Sequence, residues 1–335
     1  MASTRPVTTL TELAQLAGVT AATVSRALAD NPAIAKATRA RIQALAREHG
    51  FQPNQAARNL RLGRTGAIGV ILPLGHEAEQ HLSDPFFMNL LGPLADAIAE
   101  RGYDLLLSRV IPRDDHWLDA IVDAGRVDGV ILIGQSNQID VIERVAARYK
   151  PMIVWGADLP GQAQITVGSD NVAGGRMAAE HLLAQGRKQL AFFGSTDIPE
   201  FAARHAGFAQ AVEAAGLGPA TLLPVHLTGE ASYDAIADYL GSHPSPDGIV
   251  AASDVIAISA LKALAARCRR VPQDVGVVGY DDVQLARYST PALTTIRQDV
   301  AAGALTMVDL LFRRMNGKVV RSVVMTPQLI LRGSA

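Results

Sequence analysis

From residue 66 onward, short apolar runs alternate with longer amphipathic stretches. The runs are Ala67–Leu72, Tyr103–Leu107, Gly129–Ile133, Met152–Trp155, Leu190–Phe193, Gly248–Ala251 and Val275–Gly279. Continuous apolar character over so few residues predicts strands buried on both faces. Between them, Phe87–Arg101, Val172–Gln185 and Ala202–Ala215 carry apolar residues at helical spacing. Strands alternating with helices predict parallel sheets. The alternation is too long for one sheet, so the expected architecture is α/β: two doubly wound parallel-sheet subdomains with a cleft between them.

The first 64 residues follow a different pattern, which predicts an all-α unit. Thr9-Leu10-Thr11-Glu12 has the spacing of a capping box. Leu10, Leu13, Ala14 and Ala17 then share one helical face, and Gly18 can end the helix in a left-handed conformation. Thr20 can cap a second helix, Ala21 to Leu28, with Val24 and Leu28 turned inward. A third helix, roughly Lys36 to His49, packs through Ile42 and Leu45. Two short helices joined by a glycine turn predict a helix-turn-helix. Ala21, Ala22, Ser25 and Arg26 lie on its outer side. A face of small residues enters the major groove without clash, and Arg26 can donate to guanine or phosphate. Thr38 and Arg39 open the third helix, where a helix N-terminus favours phosphate.

Charge sharpens the division. The whole chain, 335 residues with 49% hydrophobic and 19% charged residues, has a net charge of −1. Residues 1–64 hold nine Lys or Arg against three Asp or Glu, a balance of +6, and the remainder carries −7. A basic arm on an acidic body predicts two parts with different partners. The single cysteine, Cys268, excludes an intrachain disulfide or a thiolate cluster and is expected as a small buried residue. No apolar run is long enough to span a membrane, and the N-terminus lacks the apolar core of a signal peptide. A cytoplasmic location is therefore expected, with no membrane partner.

In open α/β sheets, ligands bind beyond the carboxyl ends of the strands. That rule nominates Asp84 to Phe87, Ser108-Arg109, Gln135-Ser136, Trp155, Ser195 to Glu200, Ser253-Asp254 and Tyr280-Asp281-Asp282. Carboxylates, amides and aromatic rings suit a neutral polyhydroxylated ligand. Asp170-Asn171, also at a strand end, reads instead as a helix cap.

These segments together resemble the LacI/GalR (lactose/galactose-repressor) family of transcription regulators. The resemblance rests on Thr9 through Arg26, on Thr38-Arg39, Gly50-Phe51-Gln52-Pro53-Asn54, Ala56-Ala57-Arg58-Asn59-Leu60 and Gly63 through Val70. It extends to Asp84-Pro85-Phe86-Phe87, Arg204-His205-Ala206-Gly207-Phe208, Ser253-Asp254 and Gly279-Tyr280-Asp281-Asp282. It implies a DNA-binding domain over 1–52, a hinge helix and linker over 53–65, and an effector-binding and dimerisation domain over 66–335. The first subdomain is then expected at about 66–160 and 293–320, the second at about 161–292 and 321–335. It further implies a homodimeric repressor that reads a pseudo-palindromic operator and is released by a sugar-type effector, without cofactor, metal or enzymatic activity.

Site residues follow from the resemblance. Thr9, Thr20, Ala21, Ala22, Thr23, Ser25, Arg26, Thr38 and Arg39 are expected at the operator. So are Asn54, Ala57, Arg58 and Leu60 of the hinge, with Leu60 as the apolar wedge that opens a central base step. His81, Asp84, Phe86, Phe87, Arg109, Gln135, Trp155, Glu200, Arg204, Asp254 and Asp281 are expected at the effector. Several positions depart from the family pattern. Ala29 follows the recognition helix where Asn is usual, and Ala35 precedes the third helix where Ser is usual. Ala231 follows Gly229-Glu230 in place of an aromatic, Gly156 follows Trp155, and residues 75–82 look inserted. An oligosaccharide or glycoside is accordingly expected rather than a monosaccharide.

Rival readings have less behind them. His76-Glu77 and His81 stand five apart rather than four, which puts the histidines on opposite sides of a helix and argues against a zinc protease. No Gly-x-Gly-x-x-Gly follows a strand, as a dehydrogenase would need. A periplasmic-type sugar-binding protein would share the body but not the basic arm.

Overall fold

The computed structural model describes residues 7–51, 59, 63–74, 81–225, 228–244 and 246–335. The chain divides into two compact units, Met1–Thr65 and Gly66–Ala335.

In the first unit, α1 (Leu10–Ala17), α2 (Ala21–Leu28) and α3 (Lys36–Glu48) enclose a small core of Leu13, Ala14, Ala17, Val24, Ala27, Ile42 and Ala46. The capping box forms in full: the Thr9 hydroxyl accepts from the Glu12 amide at 3.2 Å, and the Glu12 carboxylate accepts from the Thr9 amide at 3.1 Å. Gly18 ends α1 at φ 63°. Side chains of α3 then satisfy the open carbonyls at the ends of the other two helices. Arg41 donates to Ala17 O at 2.8 Å and Gln43 to Ala27 O at 3.2 Å. Ala35 leaves α3 with no side-chain cap. Ala35→Ser supplies one and is expected to raise the stability of this unit by about 1 kcal/mol, read as a shift in its urea midpoint. An unchanged midpoint would show that the end of α3 does not limit stability.

The second unit contains two six-stranded sheets. The first runs β11-β5-β4-β3-β1-β2, built from β1 (Ala67–Pro73), β2 (Asp104–Val110), β3 (Gly129–Ile133), β4 (Met152–Trp155), β5 (Thr166–Ser169) and β11 (Val323–Met325). The second runs β12-β10-β9-β8-β6-β7, from β6 (Leu190–Phe193), β7 (Thr221–Leu223), β8 (Gly248–Ala251), β9 (Gly276–Asp281), β10 (Thr294–Arg297) and β12 (Gln328–Ile330). Among these pairs, β10 with β12 is antiparallel and the rest are parallel.

Helices cover both sheets. On the first, α4 (Pro85–Glu100) and α12 (Val300–Met315) bury one face, and α5 (Trp117–Val122) and α6 (Ile139–Arg148) the other. On the second, α7 (Asn171–Ala184) packs on α8 (Pro199–Ala214), and α9 (Gly229–Ser242) on α10 (Asp254–Ala266). A short α11 (Gln284–Tyr288) follows β9.

The chain crosses between sheets three times, and strand pairing moves all three crossings from the expected positions. β5 pairs with β4, so the first crossing follows Ser169, and residues 161–169 belong to the first subdomain rather than the second. β10 pairs with β9, so residues 293–297 belong to the second subdomain rather than the first. The third crossing lies between Met325 and Gln328, because β11 completes the first sheet beside β5. The reason is common to all three: a short strand pairs with whichever sheet its neighbours bring it to, and local pattern does not say which.

Cys268 is exposed rather than buried, because it follows α10 at φ 56° where the chain turns away from the core. Among the described residues, no helix is long and apolar enough to cross a membrane.

Candidate functional site

In the helix-turn-helix unit, burial fixes one side of α2 and frees the other. Val24 and Ala27 are buried, while Ala22, Ser25 and Arg26 are exposed and Ala21 and Thr23 half-buried. The Thr20 hydroxyl caps the helix by accepting from the Thr23 amide at 3.2 Å. The Arg26 side chain makes no hydrogen bond or ion pair among the described residues, so its guanidinium stays available to an outside acceptor. Thr9 is exposed and Thr38 half-buried beside this face. Arg39, expected at a phosphate, also has a structural job. It pairs with Asp30 at 2.9 Å and donates to Asn31 O and Ile34 O, which holds the turn between α2 and α3. Asn54, Ala57, Arg58 and Leu60 lie outside the described residues.

The second unit opens a cleft at the carboxyl ends of both sheets. Its place follows from strand order. In each sheet the chain reverses its winding direction, between β1 and β3 in one and between β6 and β8 in the other, and a crevice forms at such a switch point. Leu74, Gly134 and Ser136 line it just past β1 and β3, and Ile198 and Ser253 past β6 and β8.

Its walls are aromatic and its floor acidic. Phe86 and Phe87 enter from the first turn of α4, whose N-cap Asp84 accepts from the Phe86 amide at 2.9 Å. Trp155 ends β4 and packs on Phe86 at 6.0 Å between ring centroids. The ring is held from behind by α12, where a Cβ on Gly303 would come within 2.3 Å of it. Glu200, Phe201 and Arg204 come from α8.

Arg204 is 5% exposed and joins several elements. Its guanidinium lies over the Tyr280 ring at 3.7 Å and over Phe201 at 5.1 Å. Its Nε donates to Asn171 Oδ1 at 2.9 Å, and its Nη1 to Ala252 O and, at 3.7 Å, toward Asp281 Oδ1. Asn171 in turn donates to Ser169 O at the first crossing. Asp281 ends β9 at φ 109° and accepts from Gln298 Nε2 at 2.7 Å. Burial pushes its carboxyl up to about 7, opposed by Arg204 and Gln298 and reinforced by the Asp84 charge. Burial also raises the Glu200 carboxyl, against the pull of its own amide, Arg204 and the Ala157 amide. Glu200 Oε1 is buried with no hydrogen-bond partner within the protein.

The cleft thus gathers Asp84, Phe86, Phe87, Trp155, Glu200, Arg204 and Asp281 of the residues expected at the effector. The other four lie elsewhere. Asp254 is fully buried, accepting from the Val283 amide at 2.8 Å and the Thr295 hydroxyl at 2.6 Å. It ties α10 to β9 and β10, and burial drives its carboxyl far above the ordinary range. Its neighbour Ser253, which caps α10, faces the cleft instead. Gln135 is likewise buried behind the wall, accepting from the Ala157 amide at 3.0 Å, while Ser136 lines the cleft. Gly156 is small because of this: a Cβ there would meet Gln135 at 2.7 Å. Arg109 is exposed on edge strand β2, and His81 is exposed before α4; neither lines the cleft.

Pro73, Ile133, Ile198, Phe201, Val255 and Val283 complete the lining. Apart from Ile198, which falls within the nominated Ser195 to Glu200, they look like core in sequence and carried no signal. Ala231 lies in α9 away from the cleft lining, and residues 75–80 lie outside the described residues.

Two family models match the chain: "Bacterial regulatory proteins, lacI family" over residues 9–54, and "Periplasmic binding protein-like domain" over 179–335. The HTH-type transcriptional regulator CelR of Thermobifida fusca is 30% identical over 97% of this chain and 98% of its own length. The HTH-type transcriptional repressor CytR of Escherichia coli (strain K12) is 29% identical over 97% and 96%. Among solved structures, the CelR–cellobiose complex is 29% identical, with 98% of this chain and 99% of that one covered at a TM-score of 0.70. The lac repressor dimer bound to operator and the anti-inducer ONPF is 26% identical, with 98% and 99% covered at 0.85.

Proposed function

This chain belongs to the lacI family of bacterial regulatory proteins and is a DNA-binding transcription regulator rather than an enzyme; from that premise we propose that it is a homodimeric repressor released from its operator by a neutral sugar of about disaccharide size. The observation that carries the effector assignment is the cleft's composition: Trp155 and Phe86 as flat apolar faces, with Asp281, Glu200 and Asp84 as hydroxyl acceptors. So many carboxylates disfavour an anionic ligand. Arg204, already bonded within the protein, positions Asp281 and also supplies a donor to a ring oxygen or hydroxyl. Cellobiose, which the CelR relative binds, is the first ligand to test.

In this reading Ala22, Ser25 and Arg26 of α2 meet base edges, with Thr9, Thr20 and Thr38 near phosphates. The hinge residues Asn54, Ala57, Arg58 and Leu60 belong to the same proposal. The repressor works in the cytoplasm, where its operator is. Edge strand β2 supports the dimer, since it exposes Leu106 and Leu107, each 39% accessible, beside Met88 of α4 at 45%. An apolar sheet edge of that kind calls for a partner.

Release follows from linkage. The sugar closes the two subdomains, and it shifts the equilibrium only by its differential affinity for the closed state. A gel shift on the DNA upstream of the protein's own gene, run with a sugar panel, tests the reading. Retardation is expected without sugar and is lost with cellobiose or a related glycoside. Operator affinity is expected to fall about a thousandfold or more between 50 and 200 mM salt. Indifference to every sugar would overturn the effector assignment, and weak salt dependence would argue against phosphate contacts.

A further inference from the structure

A second cavity, of about 360 Å³, lies at the amino ends of β4 and β5, opposite the end of the sheet that faces the effector cleft. Lys150 precedes β4, Ile165 precedes β5, Arg314 is in the last turn of α12, and Lys318 and Val320 follow that helix. Three cations line this cavity, and no Asp or Glu is among its lining residues.

Arg314 is the unusual member. Its Nη1 is shielded from water and has no hydrogen-bond partner. Burial, with no opposing carboxylate, holds its guanidinium below the ordinary range. Several other arginines of this unit meet carboxylates: Arg148 meets Asp119 and Asp123, Arg270 meets Asp274, and Arg297 and Arg332 meet Asp282; Arg187 and Arg269 each keep a shielded Nε without a partner, but neither lines this cavity. The charge at the end of α12 does not need Arg314 either. Arg313 occupies the same last turn, is half exposed, and serves the helix dipole while pairing with Asp309. A shielded N–H with no acceptor destabilises the ligand-free fold, so its retention points to an acceptor that arrives from outside.

We infer that this cavity binds a small phosphate-bearing anion, gripped by the Arg314 guanidinium and neutralised by Lys150 and Lys318. A guanidinium fork matches two phosphate oxygens, and two ammonium groups supply the remaining charge without fixed geometry. Ile165 and Val320 form an apolar rim that limits water around the contact. The site is separate from the sugar cleft, so its occupancy is a second input to the same subdomain.

Calorimetric titration of the full-length protein with inorganic pyrophosphate at low ionic strength tests the inference. One saturable site per chain is expected. Arg314→Met is expected to weaken it at least tenfold, and Lys318→Gln, at an exposed position, severalfold. Arg204→Met, in the sugar cleft, is expected to leave it unchanged. Without anion, Arg314→Met is expected to melt no lower than wild type, because it removes a shielded N–H that has no acceptor. No saturable binding, or equal binding by Arg314→Met, would overturn the inference. So would a lower melting temperature of ligand-free Arg314→Met, which would assign the residue to the fold alone. If pyrophosphate fails to bind while Arg314→Met flattens the salt dependence of duplex binding, the cations serve nucleic-acid phosphates and the small-anion site is excluded.

Discussion

Gly207→Ala is expected to destabilise the second unit by about 3 kcal/mol or more and to abolish sugar binding. A Cβ at 207 would lie 1.9 Å from Val172 O and 2.8 Å from Arg176 N, and both obstacles are backbone of α7. The contact is reciprocal: a Cβ on Gly175 would lie 1.8 Å from Arg204 O in α8. Neither neighbour can rotate aside, so the two helices must separate. Because α8 carries Glu200 and Arg204, the separation takes both side chains from the cleft and breaks the Arg204 to Asn171 bond. Urea unfolding followed by circular dichroism reads the first effect, and calorimetry with cellobiose reads the second. A loss under about 1 kcal/mol with binding retained would mean that the helices have slack the packing does not suggest.

Asp281→Asn is expected to weaken sugar binding about tenfold to a hundredfold near neutral pH and to reduce its pH dependence. In the wild type the folded carboxyl titrates at about 7, so below that pH it holds a proton. Ligand hydroxyls that donate to Asp281 need the carboxylate, so binding expels that proton. Affinity should then fall about tenfold for each pH unit below 7. The stability of the ligand-free protein runs the other way. The folded value lies above the ordinary 3.8, so between about 4 and 7 the folded chain keeps a proton that the unfolded chain releases. Stability therefore falls as pH rises through that window, and Asp281→Asn removes this contribution. Asp254 and Glu200 are also raised by burial, so the informative quantity is the difference between variant and wild type. Sugar affinity that is flat from pH 5 to 8 in the wild type would show that Asp281 does not accept from the ligand.

The helix-turn-helix was legible because its determinants are local. A capping box, a left-handed glycine and the spacing of Leu13, Ala17 and Val24 are all settled within a few residues. The cleft was legible in outline, since the ends of parallel strands can be located from their apolar runs. Which side chain at each end faces the ligand was not. Ser253 and Ser136 line the cleft where their neighbours Asp254 and Gln135 were expected. The polar group with greater hydrogen-bonding capacity was drawn into the interior, where Thr295, Val283 and Ala157 supply its partners. Arg109 failed for another reason: a strand end adjoins the cleft only if the strand lies near the switch point, and β2 is an edge; His81, in the connection between β1 and α4, is exposed and does not line the cleft. The structural role of Arg39 was not legible because its partners, Asp30 and the carbonyls of Asn31 and Ile34, meet it only when the α2–α3 turn closes.

The sequence by itself determined the two units, their opposite charges, the identity and order of most elements and the motifs of the family. These follow from periodicity, caps and glycine positions, which act over one or two turns of chain. Only the tertiary structure decided which sheet receives β5, β10 and β11, which carboxylates are buried as ties and which face the cleft, and that Gly175 and Gly207 set the spacing of α7 and α8. Those outcomes depend on contacts between residues far apart in the chain. There an open sheet edge, a carbonyl within 2 Å of a missing methyl, or a buried donor in search of an acceptor determines the result, and no local pattern encodes it.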